Sequence, residues 1–347
     1  MEKNLSIFNF RKFPLAFACF LLLLFCTELV ARYYYPTRGP LFDNIIEYKT
    51  KYLMLKENIY YDGIILGDSC SLGLDAKLVA DIINYKTGKS LSFYNFSFPV
   101  VGAKGWYIFL RKYISLNQKP KIVFMESIPS LMTEVMKRKE VPTDELHRFA
   151  LAFSLKDYYD IVPVDFSFKI LMHKIKRQSY LVTYRSFIRD LASNFYRHRE
   201  RGLMIDENGR VIFGLTEIPT LEEVQGSDIY KADFYLNEDI LFWFKKFFSL
   251  ARENDIKILI FGTPMSEEVS LKREERGINR RYEEAMLDLI AGYDNIVLIK
   301  PISEGYNRKY FYDANHLNDE GNDIFSVELG KRIAACIENS DICSKQN

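Results

Sequence analysis

The sequence predicts an α/β fold in which helices cover both faces of a parallel sheet, giving three layers. From about residue 61, short apolar runs alternate with stretches whose apolar residues have helical spacing, and such strands pair in parallel through crossover connections. Polar side chains follow the predicted strands, as expected at the edge where such sheets form sites. Of the 347 residues, 48% are hydrophobic and 27% charged, which supplies a core and excludes a disordered chain.

The elements follow in order along the chain. Five short apolar runs are predicted as strands: Gly63–Leu66, Leu91–Tyr94, Lys121–Met125, Ile256–Phe261 and Asn295–Ile299. Five amphipathic stretches are predicted as helices, the last with Asp319 as its cap: Asp75–Tyr85, Gly102–Leu116, Ile240–Ala251, Arg280–Ala291 and Asp319–Ala335. Together they predict one α/β domain formed by residues 61–130 and 237–336, followed by a tail at 337–347.

Residues 131–236 interrupt this domain between the third and fourth strands. A structureless loop of this length is not expected in a compact domain, so the segment is predicted to be a helical insertion. Within it, residues 169–201 carry nine Lys or Arg and two acidic residues, a net charge of +7. Two interpretations are open: a solvated helix face, or a surface that attracts anionic lipid headgroups or an anionic polymer.

The N-terminal part predicts a membrane anchor. Residues 13–31 are mostly apolar and carry a single charge, Glu28, and a helix of this length spans a hydrocarbon core of roughly 30 Å. A buried core helix and a cleaved signal peptide are the alternatives, but small residues are not well placed for cleavage. We therefore expect a cytoplasmic N-terminus at 1–12, a single span, a juxtamembrane segment at 32–60 and an extracytoplasmic domain.

Charge and cysteine content narrow the possible partners. The 47 basic and 46 acidic residues leave a net charge of +1, whereas nucleic-acid binders usually show a basic excess. None of the five cysteines lies in a CxxC motif or a His/Cys cluster, so neither a metal nor a cofactor is predicted. In an exported domain, Cys336 and Cys343 could form a disulfide.

A nucleophile and a base follow the first and last strands of the predicted sheet. Ser69 stands in Gly67-Asp68-Ser69, predicted to be a strand-to-helix turn, where a serine can expose its hydroxyl above the sheet. A serine hydroxyl needs a base to remove its proton. Of four histidines, only His316 follows the last strand, and Asp313 three residues earlier would fix its tautomer. The sequence therefore predicts a catalytic set of Ser69, His316 and Asp313 at one sheet edge.

The two motifs resemble the first and last blocks of the SGNH/GDSL hydrolase superfamily, GDS and DxxH. The resemblance covers most of residues 61–130 and 237–336 and implies a flavodoxin-like three-layer fold. It also implies an oxyanion hole, with N–H donors from Ser69 and from Ser97 or Gly102 near the second block. The family's third block supplies an Asn, where this chain has Met125-Glu126-Ser127. The supporting residues are Asp68, Asn95 and Glu126.

An anchored domain of this kind is similar to the envelope branch of that superfamily, which includes alginate O-acetylation proteins and the protein of D-alanyl-lipoteichoic acid synthesis. The resemblance implies a serine-dependent O-acyltransferase or esterase at the bacterial cytoplasmic membrane. Its partners would be an envelope glycan or acyl-carrying substrate, membrane lipid and a membrane-bound O-acyltransferase. The second hypothesis is a non-catalytic envelope protein that keeps the fold and binds an anionic polymer or a membrane partner. The replaced third-block Asn and the basic insertion favour this second hypothesis.

Overall fold

The computed structural model describes residues 13–38, 59–98, 102–116, 119–127, 204–214, 217–227, 230 and 238–338. The chain divides into two units. In its described part, the first contains helix α1 (Phe13–Arg38), whose apolar side chains are exposed; Phe25, for example, is 60% exposed. Within the described residues, no helix combines the length and the apolar character needed to cross a membrane. The anchor at 13–31 therefore stays a prediction.

The second unit contains the sheet domain and begins with alternating strands and helices. Strand β1 (Gly63–Leu66), helix α2 (Ala76–Thr87), strand β2 (Phe93–Asn95), helix α3 (Ala103–Ser115) and strand β3 (Ile122–Glu126) come first. The Asp75 carboxylate caps α2 by accepting the Leu78 N–H at 2.8 Å. The helix ends at Gly88, whose φ of +67° is the left-handed conformation that glycine adopts readily. Predicted and observed bounds in this half differ by at most two residues.

The second half of the unit adds further strands and helices. A hairpin of β4 (Met204–Ile205) and β5 (Val211–Ile212) precedes helix α4 (Leu221–Gly226) and helix α5 (Glu238–Glu253). The remaining elements are β6 (Lys257–Phe261), β7 (Met265–Ser266), α6 (Glu267–Glu275), α7 (Ile278–Ile290), β8 (Ile296–Leu298), β9 (Gly305–Tyr306) and α8 (Asp319–Glu338). The hairpin and α6 were not expected, because strands of two residues and a highly charged helix leave little hydrophobic periodicity.

The five predicted strands form one parallel sheet, in the order β2-β1-β3-β6-β8. The register places Ile65 beside Phe124 and Phe124 beside Leu259, so consecutive strands end at the same edge. This arrangement confirms the mixed α/β class with parallel strands. Strand β1 lies between β2 and β3, where the chain changes direction across the sheet, and such a point leaves a crevice at the carboxyl ends.

The core lies on both faces of this sheet. On one face, Phe124 and Leu259 pack with Val79 of α2 and Leu329 of α8 in one buried cluster. Side chains alternate along a strand, so the neighbouring residues point to the opposite face. The residues on the opposite face, such as Val123, are also buried. Helices α3 and α5 pack together through contacts of the Trp106 ring with Phe244 and Phe247. The closely packed interior fixes where each strand ends.

Two local predictions need correction. Asp319 does not cap α8; Asn318 does, because its Oδ1 accepts the Gly321 N–H at 2.9 Å. The Asp319 carboxylate instead accepts the N–H groups of Phe213 (3.0 Å) and Gly214 (2.9 Å), which follow β5. The segment predicted as a helical insertion is also not wholly helical, since its described part contains this β-hairpin.

Other predictions fall on residues outside the described part. The basic stretch at 169–201, residues 1–12 and Cys343 lie there. Cys336 is disulfide-bonded, and Cys19, Cys26 and Cys70 are free.

Candidate active site

The residues predicted as a catalytic set meet at the carboxyl edge of the sheet. Ser69 Oγ lies 2.8 Å from His316 Nε2, and His316 Nδ1 lies 2.7 Å from Asp313 Oδ2. In this arrangement the His316 Nδ1–H donates a hydrogen bond to Asp313, and Nε2 is left to accept a hydrogen bond from the Ser69 hydroxyl. All three residues are half-buried, so the site is partly open to solvent. The arrangement can activate a serine as a nucleophile.

A short loop sets the positions of Asp313 and His316. The loop is closed at its base by an antiparallel bridge between the buried residues Phe311 and Leu317. Within it, Asp313 Oδ1 accepts the backbone N–H groups of Asn315 (2.7 Å) and His316 (2.8 Å). Short aspartate side chains commonly fold a chain back in this way. The same carboxylate therefore shapes the loop and orients the imidazole.

Strand β1 presents Ser69, the predicted nucleophile, through a tight turn that we call the nucleophile turn. The strand ends at Leu66, and a single turn of 3₁₀ helix covers Ser69–Ser71. The Asp68 carboxylate caps this turn by accepting the Cys70 N–H at 2.8 Å. Gly67 has no room for a side chain, since a Cβ there would lie 1.9 Å from Ser71 Oγ. Glycine and aspartate in this order therefore follow from the local packing.

Glu126, at the end of β3, supports the turn from below. Its Oε2 accepts the Asp68 N–H at 2.6 Å and the Ser71 hydroxyl at 2.7 Å. Its Oε1 accepts the Thr263 hydroxyl, just after β6, at 3.0 Å. Glu126 is fully buried, so these bonds replace the water that a carboxyl group requires. Glu126 thereby connects the end of β3 to the turn after β1 and to Thr263 after β6.

The predicted oxyanion donors are partly engaged. The Ser97 N–H donates to Asn95 Oδ1 at 2.9 Å, and Asn95 Nδ2 donates to the carbonyl oxygens of Ser71 and Leu74. Asn95 thus supports the nucleophile turn. The Ser97 N–H already has an acceptor, so its oxyanion role stays a prediction that requires Asn95 to release it. Gly102 stands at the start of α3, with extended backbone, and its oxyanion role likewise stays a prediction.

The charges of the triad favour an ion pair. Burial opposes a charged imidazolium, but the hydrogen bond and negative charge of Asp313, together with the charge of Asp68, raise the pKa of His316 above its ordinary value. Burial also acts against the charged form of Asp313, and the hydrogen bond and charge of His316 outweigh it, so the pKa of Asp313 is lowered. Each partner therefore stabilises the charged form of the other.

A second group of ionisable side chains lies next to Ser69. The ligand atoms of Asp68, Cys70 and Glu126 lie within 4.8 Å of one another, a spacing that could hold a metal ion. Burial raises the pKa of all three, and the charge of Asp68 raises those of Cys70 and Glu126 further. A protonated thiol is a poor metal ligand, and the oxygens of Glu126 are taken by hydrogen bonds. A group in which Cys70 and Glu126 keep their protons fits a hydrogen-bonded support better than a metal site.

Sequence reasoning missed an aromatic contact on His316. The Tyr312 ring is stacked on the His316 ring, with centroids 5.4 Å apart and planes 10° apart, and Phe213 packs on Tyr312 with centroids 4.7 Å apart. An aromatic residue four positions before the histidine was the available signal. For Phe213 there was none, because the hairpin that carries it is remote in sequence.

One family comparison bears on this chain. A family model described as "Protein of unknown function (DUF1574)" matches residues 25–320, which include Ser69, Asp313 and His316. No curated protein matches the chain.

Proposed function

We propose that this chain, which belongs to the DUF1574 family, is a membrane-anchored, extracytoplasmic serine acyltransferase or esterase. Its substrate would be a glycan or polymer of the cell envelope. One observation carries the proposal: Ser69 Oγ, His316 and Asp313 form a continuous hydrogen-bonded line, with contacts of 2.8 Å and 2.7 Å. The two motifs lie 247 residues apart in sequence, so the contact is a product of the fold.

The chemistry proceeds in two acyl-transfer steps. Ser69 Oγ attacks the carbonyl carbon of an acyl ester while His316 Nε2 takes the serine proton, and His316 then gives that proton to the alcohol that leaves. The acyl group is now bonded to Ser69. In the second step a glycan hydroxyl, or water, gives its proton to His316 and attacks the acyl carbon, and Ser69 regains its proton. An acceptor hydroxyl makes the protein a transferase, and water makes it an esterase.

The strand order supports the proposal at the level of the fold. The order β2-β1-β3-β6-β8 is the flavodoxin-like order, and ligands bind such sheets at the carboxyl ends beside the switch point. The resemblance of Gly67-Asp68-Ser69 and of Asp313 through His316 to the SGNH/GDSL blocks agrees with that placement. Glu126 stands where that family has its third-block Asn, and the hole must therefore rely on backbone N–H groups.

The membrane location rests on composition and exposure. Residues 13–31 carry one charge, Glu28, and α1 exposes Leu22 and Leu23 by more than 60% each. Contiguous exposed apolar surface of this kind usually has a partner, and lipid would cover it. The disulfide at Cys336 supports an oxidising compartment outside the cytoplasm. A membrane-bound O-acyltransferase is the proposed partner that supplies the acyl group.

Covalent labelling tests the serine chemistry directly. A fluorophosphonate probe should label the native full-length protein, and Ser69→Ala should lose labelling, because Ser69 is the serine whose hydroxyl is hydrogen-bonded to His316. Ser115→Ala is a matched control, since Ser115 lies on the exposed end of α3. The proposal fails if the native protein stays unlabelled while a control esterase reacts, or if Ser69→Ala labels equally well.

A further inference from the structure

The His316 ring is contacted on its edges by the triad and on its face by an aromatic ring. Ser69 and Asp313 use the two ring nitrogens. Tyr312 covers one face, with the rings nearly parallel at 10°. The edge contacts fix which proton moves and hold the two nitrogens, but they do not touch the face of the ring. Tyr312 adds a contact on that face.

Tyr312 itself is held rigidly. Its N–H donates to the His316 carbonyl oxygen at 3.0 Å, so the two residues face each other across the loop. Phe213 packs against the Tyr312 ring. Phe213 follows β5, and Asp319 of α8 holds the backbone there through the two hydrogen bonds described above. A salt bridge from Arg210 to Asp323 at 2.7 Å fastens the same hairpin to α8.

We propose, on the basis of the proposed acyl-transfer function, that Tyr312 is a positioning residue that holds the His316 ring in line and stabilises its charged form. The hairpin β4–β5 braces it through Phe213. His316 becomes positively charged each time it takes the Ser69 proton. The face of an aromatic ring carries partial negative charge and attracts a cation within about 6 Å of its centroid. The stack therefore favours the state that forms during the reaction.

Two carboxylates also raise the pKa of His316, and their effect can be separated from that of the Tyr312 ring. The carboxylate of Asp313 lies on the same loop, and that of Asp68 comes from the end of β1. Both remain in place when Tyr312 is changed. The ring contribution is therefore measurable as a change in the pH at which His316 titrates, against a constant background from the two carboxylates.

The test compares Tyr312→Leu with Tyr312→Phe in the full-length protein. Fluorophosphonate labelling rates are measured against pH, and the His316 pKa is measured by NMR. Tyr312→Leu should lower the midpoint of the acid limb by about half a pH unit, since the lost cation–π attraction is of that order, and slow labelling at the plateau several-fold. Tyr312→Phe keeps the ring face and should match the native protein.

Several outcomes would overturn the proposal. An unchanged midpoint and plateau in Tyr312→Leu would show that the ring does not act on His316. Equal effects of the Leu and Phe variants would assign the role to the hydroxyl. If Tyr312→Leu does not fold, Phe213→Leu replaces it and should show a smaller shift of the same sign; no shift overturns the proposal. If the native protein never labels, the proposed function fails, but the NMR titration still tests the stacking.

Discussion

Asp313 performs two tasks at the residue scale, and both follow from the short reach of its side chain. One carboxylate oxygen bonds two backbone N–H groups of its own loop, and the carboxylate also bonds His316 Nδ1. Asparagine would keep the loop but lose the charge that stabilises the imidazolium. The motif spacing of three residues thus serves folding and chemistry together.

Glu126 gives a prediction in which stability depends on pH. Burial first, and then the charge of Asp68, raise its pKa well above the ordinary value. The folded protein therefore binds the Glu126 proton more tightly than the unfolded chain does. The resulting stability is fully present below the ordinary glutamate pKa, and is lost as the pH rises toward the raised one. Glutamine can mimic the protonated side chain at every pH.

We therefore expect Glu126→Gln to gain stability relative to the native protein as the pH rises above about 4.5, by about 1.4 kcal/mol for each pH unit over which the two states differ in protonation. Urea unfolding at about pH 4.5 and about pH 7.5 measures the difference. Glu253→Gln, on the exposed end of α5, is the control and should show no such trend. A difference that does not change with pH would contradict the assignment.

The meeting of Ser69, Asp313 and His316 was predictable because each residue stands next to a sequence signal. Ser69 and His316 follow apolar strand runs, and Asp313 is three residues from the only histidine after the last strand. The supporting contacts were less accessible. Thr263 and Ser71 reach Glu126 only because three parallel strands end at one level. The engagement of the Ser97 N–H by Asn95 depends on a side-chain rotation that sequence does not specify.

At the scale of elements, short apolar runs located the five strands of the main sheet, and helical spacing of apolar residues located the helices that cover them. The elements that escaped prediction depend on tertiary contacts. Hairpin β4–β5 has two-residue strands, and it is held by a bond from the Val211 N–H to the Leu72 carbonyl oxygen and by Arg210. Such contacts involve residues far apart in sequence, so local patterns do not reveal them.

Gly262 gives a prediction about the junction of strands β6 and β8. A Cβ at this position would lie 1.7 Å from the Ile302 carbonyl oxygen, a backbone atom that cannot move aside. The next residue, Thr263, bonds Glu126. Gly262→Ala should therefore destabilise the fold by about 1–3 kcal/mol or more, as overpacking does, and displace the support of the nucleophile turn.

Thermal unfolding and the fluorophosphonate labelling rate measure both effects. Gly226→Ala is the matched control, since a Cβ there meets nothing within 4 Å, and its stability should stay within about 0.5 kcal/mol of the native value. An unchanged melting temperature for Gly262→Ala would mean that the β6 and β8 ends separate easily. The close approach would then not be what positions Thr263.

At the scale of the whole molecule, the sequence separates into an apolar N-terminal stretch and a sheet domain with its own core. Helix α1 carries exposed leucines at 21–24, whereas the apolar residues of the sheet domain are mostly buried between the sheet and its helices. A site that transfers acyl groups to envelope polymers must stand on the outer side of the membrane. The orientation of the chain is therefore the property on which the proposed substrate class depends.

A C-terminal alkaline phosphatase fusion to the full chain tests that orientation in bacteria. We expect the fused enzyme to be active, since it requires an oxidising compartment, and the protein to resist alkaline extraction from membranes. Leu22→Arg with Leu23→Arg should release the protein and abolish reporter activity, because each charge at the centre of a span costs about 2.5–3.5 kcal/mol. Leu271→Arg, on the exposed surface of α6, should change neither property. An inactive reporter on the native chain, or extraction of the native chain at high pH, would contradict the proposed envelope location and substrate. The serine chemistry of Ser69 would still be tested separately by fluorophosphonate labelling.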